Sequence, residues 1–111
     1  MRIVSGKYGG RVLKTPRDDA IRPTSDKVRG AMFNALRSRM DFEGVHVLDC
    51  FCGTGALGLE ALSQGAASCR FVDLNRSSLD LAKDNAAALG VEAEFILQDV
   101  TKLPQRGEEA W

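Results

Sequence analysis

The sequence has one histidine, three cysteines and three prolines, and each shortage removes a class of protein. With His46 as the single imidazole and Cys50-x-Cys52 as the single cysteine pair, a structural zinc site lacks its usual ligands, and no metal is expected. Cys50, Cys52 and Cys69 are odd in number, so they do not build the disulfide framework of an extracellular miniprotein. Reduced, semi-apolar thiols are the expectation. No apolar run approaches the roughly 18 residues of a spanning helix. The opening, Arg2 followed by Ile3-Val4-Ser5-Gly6, has no apolar stretch of the kind a secretory signal carries. A cytoplasmic location follows as the expectation, with no membrane partner. At 111 residues, 44% of them hydrophobic, there is material for one core and not for two.

Acidic and basic residues cancel overall, but not locally. Residues 1–40 hold ten Arg or Lys against three acids, a balance of +7, and residues 41–111 carry the opposite balance. A basic arm that meets a polyanion, joined to an acidic body that does not, is the reading this asymmetry suggests.

The arm itself reads as a hairpin. Arg2-Ile3-Val4-Ser5 and Arg11-Val12-Leu13-Lys14 are short strand-like runs around a turn containing Tyr8-Gly9-Gly10. A polar, proline-punctuated loop from Thr15 to Pro23 leads to a helix capped by Thr24 or Ser25. Val28, Ala31, Met32, Ala35 and Leu36 recur at helical spacing, which predicts one buried face. After that the pattern becomes strand, loop, helix. Val45 to Leu48 is a strand ending at Asp49, followed by a glycine-rich turn and a helix from about Ala56 to Gln64 stopped by Gly65. Cys69 to Val72 is the next strand, Asn75 caps a helix carrying Leu79, Ala82, Ala86 and Leu89, and Ala93 to Leu97 is a third strand before Gln98-Asp99. Strands alternating with helices imply right-handed crossovers and a parallel sheet.

The segment Asp49-Cys50-Phe51-Cys52-Gly53-Thr54-Gly55-Ala56-Leu57-Gly58 spells G-x-G-x-x-G between a strand and a helix. Its glycines let the backbone turn, approach a ligand and bring helix and sheet together, which points to a nucleotide cofactor. Asp73, twenty residues past Gly53, stands where a carboxylate can accept both ribose hydroxyl protons. Asp49 selects among cofactors. A carboxylate beside this loop is a poor neighbour for a pyrophosphate. It is a good one for S-adenosylmethionine, which has an ammonium, a sulfonium and no phosphate, and whose carboxylate the loop amides and helix N-terminus can receive. Asp99 closes the third strand on the same edge, placed to accept from an adenine amino group.

With these residues in view, the chain resembles the bacterial S-adenosylmethionine-dependent methyltransferases that modify the exocyclic N2 of a guanine in 16S ribosomal RNA. The resemblance is carried by Arg2 to Arg11, by Arg22-Pro23-Thr24-Ser25-Asp26-Lys27-Val28-Arg29, by Val47 to Ala66, and by Gln98-Asp99-Val100. It implies a Rossmann-like class I methyltransferase fold, α/β, of which this chain supplies the first half of the parallel sheet plus an N-terminal β-hairpin extension. Residues 1–23 are then the RNA-facing hairpin and loop, and 24–111 the donor-binding domain. It further implies a cofactor pocket made by Arg22, Thr24, Asp49, Cys52, Gly53, Thr54, Gly55, Asp73, Leu74, Asp99 and Val100. Arg2, Lys7, Arg11 and Lys14 are expected to meet RNA phosphates, with Tyr8 available to stack on a base. The partner would be 16S rRNA or the assembling small subunit.

One part of the family pattern is absent. Methyltransferases of exocyclic base amines carry an Asp/Asn-Pro-Pro-Tyr/Phe segment after the fourth strand, whereas Pro16, Pro23 and Pro104 are not adjacent and Trp111 falls where that strand would begin. No residue is therefore assigned a catalytic role. The first strand, central in the family fold, is expected to leave an apolar edge at Val45 to Leu48, so that a polypeptide of these residues self-associates. Two other functions fit parts of the pattern: an NAD-dependent Rossmann oxidoreductase shares the glycine loop, and a non-catalytic RNA-binding fragment shares the basic arm.

Overall fold

The β-branched and aromatic runs become three parallel strands in the computed structural model, which describes residues 1–15, 26–50, 53–99 and 101. A helix α1 (Asp26–Arg37) precedes β1 (His46–Cys50), α2 (Ala56–Ser63), β2 (Ser68–Asp73), α3 (Arg76–Leu89) and β3 (Glu94–Leu97). The sheet order is β1-β2-β3, with Asp49 opposite Phe71 and Asp73 opposite Leu97. Two right-handed crossovers in one direction put α2 and α3 on the same face. Val47, Cys69, Phe71 and Phe95 share that face by alternation, and they pack with Leu59, Leu79, Ala82 and Ala86 into one core. Phe71 is fully buried and stacks on Phe95 at 5.2 Å between centroids. Burying a ring of that size stabilises by roughly 1.5–3 kcal/mol.

Local signals set the element ends. The Asn75 side chain accepts from the Ser78 amide at 3.2 Å, and Gly90, at φ 73°, closes α3 in the left-handed region. Gly58 has no room for a side chain, since a Cβ there would lie 2.4 Å from the Phe71 ring and 2.7 Å from Cys69 Sγ. The third glycine of the motif thus sets how closely α2 sits on the sheet.

The hairpin is less of a ribbon than its sequence implies. Its pairing is a single antiparallel bridge, Arg2 to Val12, flanked by hydrogen bonds from Ile3 N to Arg11 O and from Leu13 N to Met1 O. Ile3 and Leu13 are 1% and 2% exposed, inside the same core as Leu59 and Phe71. Four further amides turn to side chains on the helices: Val4 and Ser5 donate to Glu60, Tyr8 to Ser63 and Lys14 to Asn85. The arm gains more by joining the core than by pairing with itself.

The expected buried face of α1 is corrected. Arg29 and Phe33 are buried, while Val28, Met32 and Leu36 are exposed. Phe33 packs at 5.4 Å from Phe42 and against Ala61 and Ala66. Arg29 donates from Nε to Glu60 Oε1 at 3.1 Å, and its Nη2 meets Asp26 and the Arg2 carbonyl. An ion pair with a carboxylate 31 residues away fixes the helix rotation, against its apolar stripe. The cap expected at Thr24 or Ser25 lies outside the described residues.

Candidate cofactor site

Parallel strands point their C-terminal ends one way, and the ends of β1, β2 and β3 bring Asp49, Asp73 and Asp99 to one edge of the sheet. Asp49 and Asp73 lie on the same face, two residues out of level, because Asp49 is paired with Phe71. Between β1 and α2 runs the glycine loop. Gly53 and Gly55 have φ of 53° and 81°, which a side chain would strain, and Thr54 between them is buried.

The acids hold that loop as well as facing it. Asp73 Oδ2 accepts from the Gly53 amide at 3.1 Å while Oδ1 accepts from Asn75 N at 2.8 Å. Asp49 Oδ2 accepts from the Gly58 amide at 3.1 Å, in the first turn of α2, where the N-cap Gly55 has no side chain to offer. Thr54 Oγ1 accepts from Ala56 N. Two leading amides of α2 are therefore engaged by side chains.

Burial pushes the Asp49 carboxyl up to about 6, the neighbouring Asp73 charge pushes the same way, and the Gly58 amide opposes both. A carboxylate so placed gains from any cation that approaches it. Asp99, partly exposed, is shifted the other way: the Thr101 amide and hydroxyl both donate to its Oδ1 and hold it below the usual carboxylate range. Leu74, beside Asp73, is 70% exposed. Arg22, Thr24, Cys52 and Val100 lie outside the described residues, so the structure brings together Asp49, Gly53, Thr54, Gly55, Asp73, Leu74 and Asp99 of the expected set.

The arm residues do not all gather at this edge. Met1 Sδ lies 3.9 Å from Thr54 Oγ1, and Lys14 sits by Asn85, so both ends of the arm reach the glycine loop. The tip lies at the opposite end of the sheet, where the Lys7 amide donates to Ser63 O at the end of α2. Arg2 Nη1 donates to Gly10 O, Arg11 Nη2 to Ala88 O, and Lys7 Nζ lies 5.5 Å above the Tyr8 ring. Tyr8 and Lys7 also border an open cleft of about 580 Å³ shared with Glu43, Gln64, Gly65 and Glu92. Two carboxylates and the carbonyl ends of two helices make that cleft a poor anion site, and it is remote from the three strand-end acids.

Glu60 and Asn85 carry no motif that marks them in the sequence. Each is a polar residue on a largely apolar helical face, at 0% and 1% exposure, and that setting is the available signal. Among the described residues no helix is long and apolar enough to cross a membrane, and Cys50 and Cys69 are free thiols.

Residues 1–110 match the model of a family described as "Conserved hypothetical protein 95". YlbH of Bacillus subtilis strain 168 is 42% identical over 89 residues, covering 80% of this chain and 47% of that protein. Ribosomal RNA small subunit methyltransferase D of Escherichia coli K12 is 40% identical over 89 residues, covering 80% and 44%. Among solved structures, yhhF of Escherichia coli, described as a methyltransferase, superposes with a TM-score of 0.76 at 35% identity, over 89% of this chain and 52% of that one. The fold is that of Rossmann-like methyltransferases. The chain spans about half the length of the curated relatives it matches.

Proposed function

The chain belongs to the Conserved hypothetical protein 95 family, and from that premise we propose that it forms the donor-binding part of an S-adenosylmethionine-dependent methyltransferase acting on the exocyclic N2 of a guanine in 16S ribosomal RNA. The observation that carries the reading is the buried Asp49 carboxylate, raised to about 6 beside Asp73 at a glycine loop. A diphosphate would add negative charge to that pair, whereas a cationic donor relieves it. When bound, S-adenosylmethionine supplies a methyl group on a sulfonium. In this reading Asp49 attracts the donor's positive charge, Asp73 accepts from ribose hydroxyls, and Asp99 accepts from the adenine amine beside the apolar surface of Leu74. Gly53, Thr54 and Gly55 give the backbone its turn, and the resemblance adds Arg22, Thr24, Cys52 and Val100. Placing donor and base in line is the work such a site performs, and none of these residues is assigned to proton transfer.

Arg2, Lys7, Arg11 and Lys14 with Tyr8 are the proposed RNA contacts, and 16S rRNA or the assembling small subunit the partner, in the cytoplasm. Among the described residues the sheet ends at β1 on one side, and Leu48 and the α1 stripe of Val28, Met32 and Leu36 are exposed. A separate polypeptide of these residues is expected to self-associate there.

Isothermal titration tests the reading. S-adenosylhomocysteine should bind and NAD should not, and Asp73→Ala should weaken binding tenfold or more, since a hydrogen bond to a charged group contributes about 1.5–3 kcal/mol. An NAD response, or undiminished affinity in the Ala variant, would falsify it.

A further inference from the structure

Asn85 stands on α3, 1% exposed, between two segments that the proposed function uses separately. Its Oδ1 accepts from the Lys14 amide at 2.7 Å. Its Nδ2 donates to the Lys14 carbonyl at 3.1 Å and to the Thr54 carbonyl, in the glycine loop, at 2.9 Å. One acceptor and two donors meet one amide and two carbonyls, a match that a carboxamide makes and other side chains of that size do not. Aspartate would turn an oxygen toward two carbonyl oxygens, and leucine would leave three backbone groups without this partner.

The donor-loop end of the arm is thereby tied to the donor loop through one side chain. The loop needs such a tie, because Gly53 and Gly55 flank Thr54 with left-handed backbone and little intrinsic preference for one conformation. Among the described residues Thr54 Oγ1 meets Ala56 and Met1, and the Asn85 bond is what holds the Thr54 carbonyl against α3.

We propose that Asn85 is a positioning residue that couples the basic arm to the donor loop, so that donor binding and the ordering of the arm at Lys14 favour one another. This rests on the reading of the loop as a donor site. Opening of the Lys14 clamp frees the loop and lowers donor affinity; by linkage, bound donor suppresses that opening. RNA that grips the arm near Lys14 would then tighten the donor site without touching it.

Amide hydrogen exchange in the 111-residue chain, followed by NMR with and without saturating S-adenosylhomocysteine, measures the coupling. Lys14 N–H, held by Asn85, should exchange about tenfold more slowly with ligand, and the change should exceed that of Lys7 N–H, which is held by Ser63 O at the arm's other end. Equal slowing at Lys7 and Lys14 reports global stabilisation alone and overturns the proposal, as does no change at Lys14. Asn85→Asp should weaken ligand binding about tenfold and abolish the excess protection; affinity within about twofold of the parent also overturns it. If that variant does not fold, the parent's exchange decides by itself. Absence of ligand binding by the parent chain overturns the donor-site reading and this inference together, whereas binding without Lys14 protection overturns the inference alone.

Discussion

Two buried carboxylates, one at the start of α2 and one in its middle, are treated in opposite ways. Glu60 is 0% exposed and has both oxygens engaged: Oε1 by Val4 N and the Arg29 guanidinium, Oε2 by Ser5 N and Gln64. Asp49 is 8% exposed, and burial first, with the Asp73 charge beside it, pushes its carboxyl up to about 6 against the one helix amide that favours its charge. The first arrangement commits charge to folding, because a pair fully satisfied inside the protein fastens the arm, α1 and α2 together. The second leaves a charge uncompensated, and that is what a cationic ligand can use. A raised carboxylate is the mark of a binding edge, and a saturated one of a structural clamp.

The comparison breaks most visibly at the clamp. Glu60→Ala leaves Arg29 Nε and two arm amides without their carboxylate, while Asp26 still holds Nη2, so the loss should be about 3 kcal/mol. Urea unfolding measures it. Glu60→Gln, which keeps an acceptor for one amide, should cost less than Ala. Equal and small losses in both would mean that the arm is held by Ile3 and Leu13 alone.

At the edge the sign reverses. Asp49 binds its proton more tightly in the folded chain, at about 6, than at its ordinary value of 3.8. The stability it lends is complete below 3.8 and is lost as pH rises through 6. An asparagine side chain in its place cannot ionise, and its oxygen still accepts from Gly58. Asp49→Asn should therefore match the parent near pH 4 and exceed it by roughly 3 kcal/mol at neutral pH, while losing affinity for S-adenosylhomocysteine. Urea melts at the two pH values check the first half and titration calorimetry the second. A variant destabilised at neutral pH would show that Asp49 is a helix cap and nothing more.

The strands, α2, α3 and the strand-end acids are legible in the sequence because their signals are local. Asn75 caps, Gly90 stops, β-branched runs extend, and Asp73 follows Gly53 at a fixed distance. What stays concealed depends on partners far along the chain. The helical period of α1 is visible, but Val28, Met32 and Leu36 advertise a face that the structure leaves open, since the side chain that selects the rotation is Glu60. The hairpin is visible too, and its conversion into part of the core is not, because Ile3 and Leu13 join a cluster built from residues of α2, β2 and α3 far along the chain. Asn85 reads as one more polar residue until Lys14 and Thr54 are seen on either side of it.

The arm carries the weakest expected effect, and it sharpens the contrast between the two ends of the molecule. Lys14 lies by the donor loop and Lys7 at the far end, beside the last residue of α2. Lys7 borders a cleft with two carboxylates, whereas Lys14 has Asp84 at 4.0 Å with both side chains exposed, a pairing that costs RNA little to displace. If the RNA runs along the whole arm, Lys7→Gln and Lys14→Gln should each weaken binding to a 16S rRNA fragment a few-fold. Each should then reduce the salt dependence of log K by about one unit. If the RNA is gripped only where the methyl group is delivered, Lys14→Gln keeps that effect and Lys7→Gln has none. Filter binding across a salt series separates the outcomes. The first is expected, because the basic residues are distributed along both limbs of the hairpin and Lys7 is exposed, with the smaller loss at Lys7, whose neighbouring carboxylates oppose phosphate.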